Sequence, residues 1–255
     1  MVWKYSRWLH RVNERRVPIF FVGLAGTLVI LAAVWQGLAD RRTGFGELTV
    51  GDRRLEGLLP VGAETVPDGF LPLDALPQAT AVGYSANGKT RVALVVPDAG
   101  GRLAVADDLD VSGTEPMVSG IPQLFFQIFG PGASPAIGVR SGAAFDAAAT
   151  AFVLLDGRRL VMAERIDGSG RRHPAVFYTG NVLEGYENFS LRDLTDDGLP
   201  EAIVEGRYVA YGDGTPGFSS STDVYVWRNG AFAYDSELSR VMTLGNGLFP
   251  EPEGE

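Results

Sequence analysis

Cysteine is absent from the 255 residues. That excludes disulfides, thiol nucleophiles, cysteine-ligated metal and a lipid anchor built on a thiol. Histidine is nearly as scarce, with only His10 and His173. His10 lies in a basic head and His173 in the turn-like SGRRHPAVF, which leaves acid–base and triad chemistry without an evident imidazole. There is no GxSxG elbow and no HExxH, so no catalytic residue is assigned and the chain is expected not to be an enzyme. Positive charge is also short after the first turns of chain. Residues 1–16 carry five Lys or Arg against Glu14, a net +4, so residues 17–255 must carry −13 to reach the total of −9. An acidic body of that kind excludes nucleic acid as a partner and is poorly suited to lying on anionic lipid.

What is present first is one long apolar run. Val17 to Ala39 contains no charged residue. At about 1.5 Å per helical residue it is long enough for a hydrocarbon core of about 30 Å. Gly37-Leu38-Ala39 before Asp40 has the small residues of a signal-peptidase site, but the run exceeds the ~7–15 residues of a signal h-region. The N-terminal flank has five Lys or Arg, and the C-terminal flank has Arg41, Arg42, Arg53 and Arg54. The expectation is therefore a single-pass helix in a bacterial inner (cytoplasmic) membrane, with a cytoplasmic N-terminus and a periplasmic C-terminal domain. Membrane lipid and other membrane-protein subunits are the expected partners, with Gly23 and Thr27 as small positions for helix packing.

Beyond the run, residues 40–78 form a Pro/Gly-rich extended arm. Prolines at 60, 67, 72 and 77 forbid a long helix and discourage a central strand, while the leucines and Phe70 suggest that the arm packs on something. Residues 79–244 consist of short apolar runs such as TRVALVV, AFVLLDGRRLVMAERI, AVFYTGNVL, EAIVEGRYVAY and DVYVWRNGAFAY. Asn87-Gly88, Asp156-Gly157 and Asn229-Gly230 between them are hairpin signals. Only 143–150 has a helical composition. Residues 245–255 form an acidic tail. The fold class expected is mainly β: one transmembrane helix, then an antiparallel β-rich domain, either a sandwich or a partial propeller.

The most specific local pattern is LRDLTDDGLPEAIV, residues 191–204. Asp193, Thr195 and Asp197 alternate around Gly198, and Glu201 follows; with the Leu199 carbonyl these oxygens can wrap a hard cation such as Ca²⁺. Val204 stands where an EF-hand needs its bidentate Glu, so it is not an EF-hand. The rival reading is an Asp/Gly turn closed by its own side-chain-to-backbone bonds. The segment resembles the Asp-rich loop of FG-GAP and VCBS repeats, over about residues 186–235 and in one copy. That resemblance implies Asp193, Thr195, Asp197 and Glu201 as cation ligands. Ca²⁺ is accordingly the one cofactor expected.

Gly83 to Thr90 matches GxxxxGK[ST], and FVLLD at 152–156 imitates a Walker B strand. A P-loop requires a helix immediately after the Lys-Thr, whereas RVALVVP is strand-like. In PQLFFQIFGPG, residues 122–132, Phe125, Phe126 and Phe129 are either core or an exposed loop that meets a partner. Together these features point to a non-enzymatic accessory or structural subunit of a larger bacterial membrane complex (respiratory, photosynthetic or secretory). The alternatives are a Ca²⁺-dependent periplasmic binding or adhesion module and, third, a P-loop-like nucleotide binder.

Overall fold

Two apolar runs, TRVALVV and TAFVLL, become strands buried on both faces, and they set the layering. The computed structural model describes residues 47–245 apart from 77, 113–117, 130–134, 144–145, 183–184 and 213–214, and apart from the side chains of 210–218, 244 and 245. The chain divides into Met1–Glu47 and Leu48–Glu255. The description that follows concerns the second unit.

The first sheet is a four-stranded antiparallel meander of β1 (Phe70–Leu73), β2 (Ala79–Ala86), β3 (Lys89–Pro97) and β4 (Leu103–Asp110). Pro72 is accommodated because β1 is an edge strand, where a missing N–H costs no ladder bond. Alternation along β3 serves two cores. Val92, Leu94 and Val96 face one, while Ala93 and Val95 face the other with Val82 and Tyr84 of β2. The second of these is covered by Leu48 and Leu55 from the segment before β1, with Leu58, Leu59 and Phe70 beside them.

The second sheet begins with β5 (Val118–Gln127), β6 (Ala136–Ala143), β7 (Ala148–Asp156) and β8 (Arg159–Met162). These pack on the first sheet through Leu124, Ile137, Val139, Ala151, Val153 and Leu160. Backbone contact is close: a Cβ on Gly138 would lie 2.2 Å from the Phe125 ring, so only glycine fits under that ring. The opposite face of β7 turns Phe152 into a second core.

That core is enclosed by the remaining strands: β9 (Glu164–Ile166), β10 (Arg172–Pro174), β11 (Val176–Val182), β12 (Gly185–Arg192), β13 (Glu201–Gly212), β14 (Thr215–Arg228) and β15 (Ala231–Tyr234). Pairing runs β11-β12-β13-β14-β15-β9-β10, with β15 and β9 parallel. β10 and β11 are one stretch of chain broken only at Ala175, whose N–H donates to the Ala163 carbonyl at 2.7 Å. The sheet thus curls until it meets its own chain and closes as a ring, with β6 and β5 continuing from β7 outside it. Inside are Phe129, Phe152, Phe177, Tyr225 and Phe232. Most meet edge to face, while Phe177 stacks on Phe189 at 4.7 Å and Phe129 on Trp227 at 5.0 Å.

One α-helix follows, α1 (Ser236–Gly245). It covers the stretch of β14 that β15 is too short to reach. The N–H of Val224 donates to Ser239 Oγ at 2.8 Å and that of Thr222 to Thr243 Oγ1 at 3.2 Å. Ser239 and Thr243 are four residues apart and so share one helix face.

Three expectations are corrected here. The sandwich or partial propeller gives way to a four-stranded sheet packed on one end of a long sheet that curls into a ring, with no stacked blades. The helical composition of 143–150 is not a helix where the structure describes it: Ala143 ends β6 and 148–150 begin β7. β7 is buried on both faces there, with Ala149 and Ala151 on one face and Thr150 and Phe152 on the other all at most 8% exposed. Finally, no helix among the described residues is long and apolar enough to cross a membrane. α1 spans about 15 Å, half the hydrocarbon thickness. The single-pass topology, and the inner-membrane location with a periplasmic domain that depends on it, are corrected on that ground. Residues 17–39, with Gly23 and Thr27, lie outside the described residues.

Candidate functional site

The turn between β12 and β13 brings together the residues singled out by spacing, and it satisfies them internally. Asp193 accepts the N–H groups of Asp197 at 3.2 Å and Gly198 at 2.8 Å. Asp197 Oδ1 accepts the Leu199 N–H at 2.9 Å. Glu201, only 3% exposed, accepts the Leu194 N–H at 2.7 Å, and the Thr195 hydroxyl donates to its other oxygen at 3.3 Å. Asp196 and Gly198 take positive φ, the conformation that such a tight turn requires. These carboxylates are thus engaged by backbone amides rather than converging on one point. Among the described residues no group of three or more His, Asp or Glu side chains is placed to hold a metal ion.

The turn forms one wall of an open groove of about 410 Å³. Thr195, Asp197 and Glu201 stand on that side. Val226 and Arg228 come from the outer face of β14, and Asp235, Glu237, Leu238 and Val241 from the start of α1. Asp235 caps the helix, its Oδ1 accepting the N–H groups of Glu237 and Leu238 at 3.2 and 3.1 Å. Its other oxygen accepts from Arg228 at 2.8 Å. The single cation of the groove is therefore already paired. Asp197 and Glu237 are exposed at opposite rims, above a floor of Val226, Leu238 and the half-exposed Val241. No family model matches the chain, and no curated protein or solved structure does. The groove has to be read from its own chemistry.

The other motif-bearing segments resolve as structural elements. Gly83 to Thr90 is the β2–β3 hairpin, with Asn87 and Gly88 both at positive φ. Lys89 pairs with Asp110 at 2.6 Å, and the buried Thr90 hydroxyl donates to the Gly120 carbonyl. No helix follows, so no helix N-terminus is available to bind phosphate there. His173, Asp167 and Ser169 have the composition of a catalytic triad but the wrong wiring. Asp167 sits between the other two, accepting the Ser169 hydroxyl at 2.7 Å and lying 3.1 Å from His173 Nε2. The hydroxyl therefore meets a carboxylate and not the imidazole, unlike the serine of a Ser-His-Asp triad. Those bonds, together with backbone donation from Arg171, hold the Asp167 carboxyl below the usual range.

Phe129 is buried and Phe125 packs beside it in the aromatic core, whereas Phe126 is 39% exposed, next to the exposed Ile128. Spacing did not reveal a polar group on the inner face of the ring: Arg165, Glu187, Tyr208 and Asp223. Burial pushes the Glu187 and Asp223 carboxyls up, partly offset by the nearby Arg165. It also raises the hydroxyl of Tyr208 and pushes that of Tyr225 up to about 12. Arg165, Glu187, Tyr208 and Asp223 each come from a different strand. The only trace in the sequence is a charged residue at an inward position of an otherwise apolar alternation, as Arg165 is after Ala163.

Proposed function

We propose that this protein is a non-enzymatic assembly subunit whose groove between α1 and the 193–201 turn docks a basic, partly apolar segment of a partner protein. The observation that carries this reading is the combination of an uncovered apolar floor with two exposed acidic rims whose only local cation is already paired. A lysine or arginine side chain can lay its methylenes on Val226 and Val241 and place its charge between Asp197 and Glu237. The −13 carried by residues 17–255 adds a long-range field that attracts such a segment.

The test is fluorescence anisotropy with a labelled peptide of alternating lysine and leucine, set against the same peptide with glutamate for lysine. The lysine peptide is expected to bind, and raising salt from 0.1 M to 1 M is expected to weaken it as the Debye length falls from about 10 to about 3 Å. The double variant Asp197→Lys, Glu237→Lys should lose at least about tenfold in affinity. Equal binding of the glutamate peptide, or full affinity in the double variant, would refute the reading.

A further inference from the structure

Of the strands that end a sheet among the described residues, all but one are guarded against pairing with another chain. β1 has four residues and carries Pro72, and β8 has four and begins with Arg159. β4 carries Asp107, Asp108 and Asp110, and β10 has three residues that include Arg172 and Pro174. Shortness, charge and proline are the devices that keep an edge from recruiting a further strand. β5 lacks all three over its second half. It ends its sheet, with β6 as its one strand neighbour, and residues 118–129 carry no charged side chain. Its first half is closed off. The register slips between Ser119 and Gln123, and the Gly120 carbonyl accepts the Thr90 hydroxyl at 2.9 Å. Gly69 lies against Pro122, where a Cβ would come within 3.3 Å of the proline carbonyl. Beyond Pro122 the pairing with β6 is regular, and Gln123, Phe126 and Ile128 are exposed.

The open half reads PQLFFQI over residues 122–128, which is symmetric in polarity about Phe125. An antiparallel second copy with its two-fold axis at Phe125 sets Gln123 opposite Gln127, Leu124 opposite Phe126, and Pro122 opposite Ile128. The glutamine amides can then donate to and accept from each other. The remaining pairs join apolar to apolar, Phe125 meeting its own counterpart. A one-residue slip would set Gln123 against Phe126 and turn the faces over, so the register is specified. Leu124 faces the core shared with the first sheet and Phe125 the aromatic core. Alternation therefore puts Phe126 and Ile128 on the first-sheet side, where a second copy would cover them. The net charge of −9 opposes contact between two copies, and this edge brings no like charges together. We infer that β5 is a dimerisation edge, which pairs antiparallel with β5 of a second copy about Phe125. The contact is isologous, since the same surface serves both copies. It does not involve the groove beside α1.

Because the chain has no cysteine, an engineered thiol is its only one. The experiment mixes full-length Gln123→Cys with full-length Gln127→Cys under mild oxidation. Directly opposite Cα atoms lie about 4.5–5.5 Å apart, within reach of a disulfide. Residue 123 of one copy stands roughly 13 Å along the strand from residue 123 of the other. A disulfide-linked dimer is therefore expected in the mixture, forming at least about tenfold faster than in either variant alone. Sedimentation velocity of the unmodified chain should show a dimer. Phe126→Lys, which places a charge beside Leu124 of the second copy, should weaken it at least about tenfold while the far-UV spectrum is unchanged. The cysteine pair tests the same register without relying on that substitution. The groove variant Asp197→Lys, Glu237→Lys should dimerise like the parent, and Phe126→Lys should bind the lysine peptide normally, so either reading can fail without the other. A monomer throughout the micromolar range, cross-linking as fast in a single variant as in the mixture, or a dimer indifferent to Phe126→Lys would each overturn the inference.

Discussion

At the residue scale the most informative groups are carboxylates whose burial opposes their charge. Asp223 and Glu187 have folded-state pKa values above their ordinary 3.8 and 4.5, with desolvation the largest cause in both. A group raised on folding binds its proton more tightly in the native state. Its contribution to stability is therefore full below the ordinary value and is lost as pH rises through the raised one. Asp223→Asn removes that loss while keeping the shape. Its Tm is expected to exceed that of the parent at pH 7, with the difference closing as pH is lowered through 3.8. Thermal melts at a series of pH values check this, and a Tm lower at pH 7 than the parent's would show that the carboxylate is paired in solution. Residue-level roles were only partly legible in the sequence. Asn87-Gly88 and Asn229-Gly230 could be read because two successive positive φ values narrow the choice of side chains to few. The 193–201 spacing identified a real turn. Whether its oxygens face an ion or their own backbone depends on distances that spacing does not contain.

At the scale of elements, the strands buried on both faces read clearly as apolar runs, while the helix and its purpose did not. SELSRVMTLG falls almost wholly within the 79–244 stretch read as β-rich, yet it is a helix, and two of its hydroxyls replace the missing strand beside β14. Ser239 is 3% exposed and also donates to the Asp235 carbonyl at 2.6 Å. Ser239→Ala would gain up to about 0.5 kcal/mol of helix propensity. It would also leave the buried Val224 N–H without an acceptor, at a cost of about 1–3 kcal/mol. The second effect is larger, so net destabilisation of roughly 1–2 kcal/mol is expected by chemical denaturation. A neutral result would mean that α1 is not what completes the edge of β14. The alanines of 143–150 show the converse failure. Alanine favours helix in isolation, but a strand pressed between two layers needs small side chains, and packing overrode propensity.

At the scale of the molecule, closure of the ring was not legible, because it depends on the parallel pairing of β15 with β9, strands that sequence order does not bring together. Its consequence is mechanical. β7 sends Val153 into the core shared with the first sheet and Phe152 into the aromatic core of the ring. β3 joins the first of these to the core beneath Leu48 and Leu55. The three cores thus share strands, and none can lose its packing without exposing one face of a neighbour. Such coupling predicts a single cooperative transition for the unit that begins at Leu48. In a variant with Trp3, Trp8 and Trp35 replaced by phenylalanine, Trp227, which stacks on Phe129 inside the ring, is the sole tryptophan and reports the aromatic core, whereas far-UV circular dichroism reports both sheets. Their midpoints in denaturant should coincide. Phe152→Ala should cost about 3–5 kcal/mol and move both signals together, although the substitution touches only the ring side. If the tryptophan signal melted first while the β signal persisted, the ring would be an independently unfolding unit, and the shared strands would be carrying much less coupling than their geometry implies.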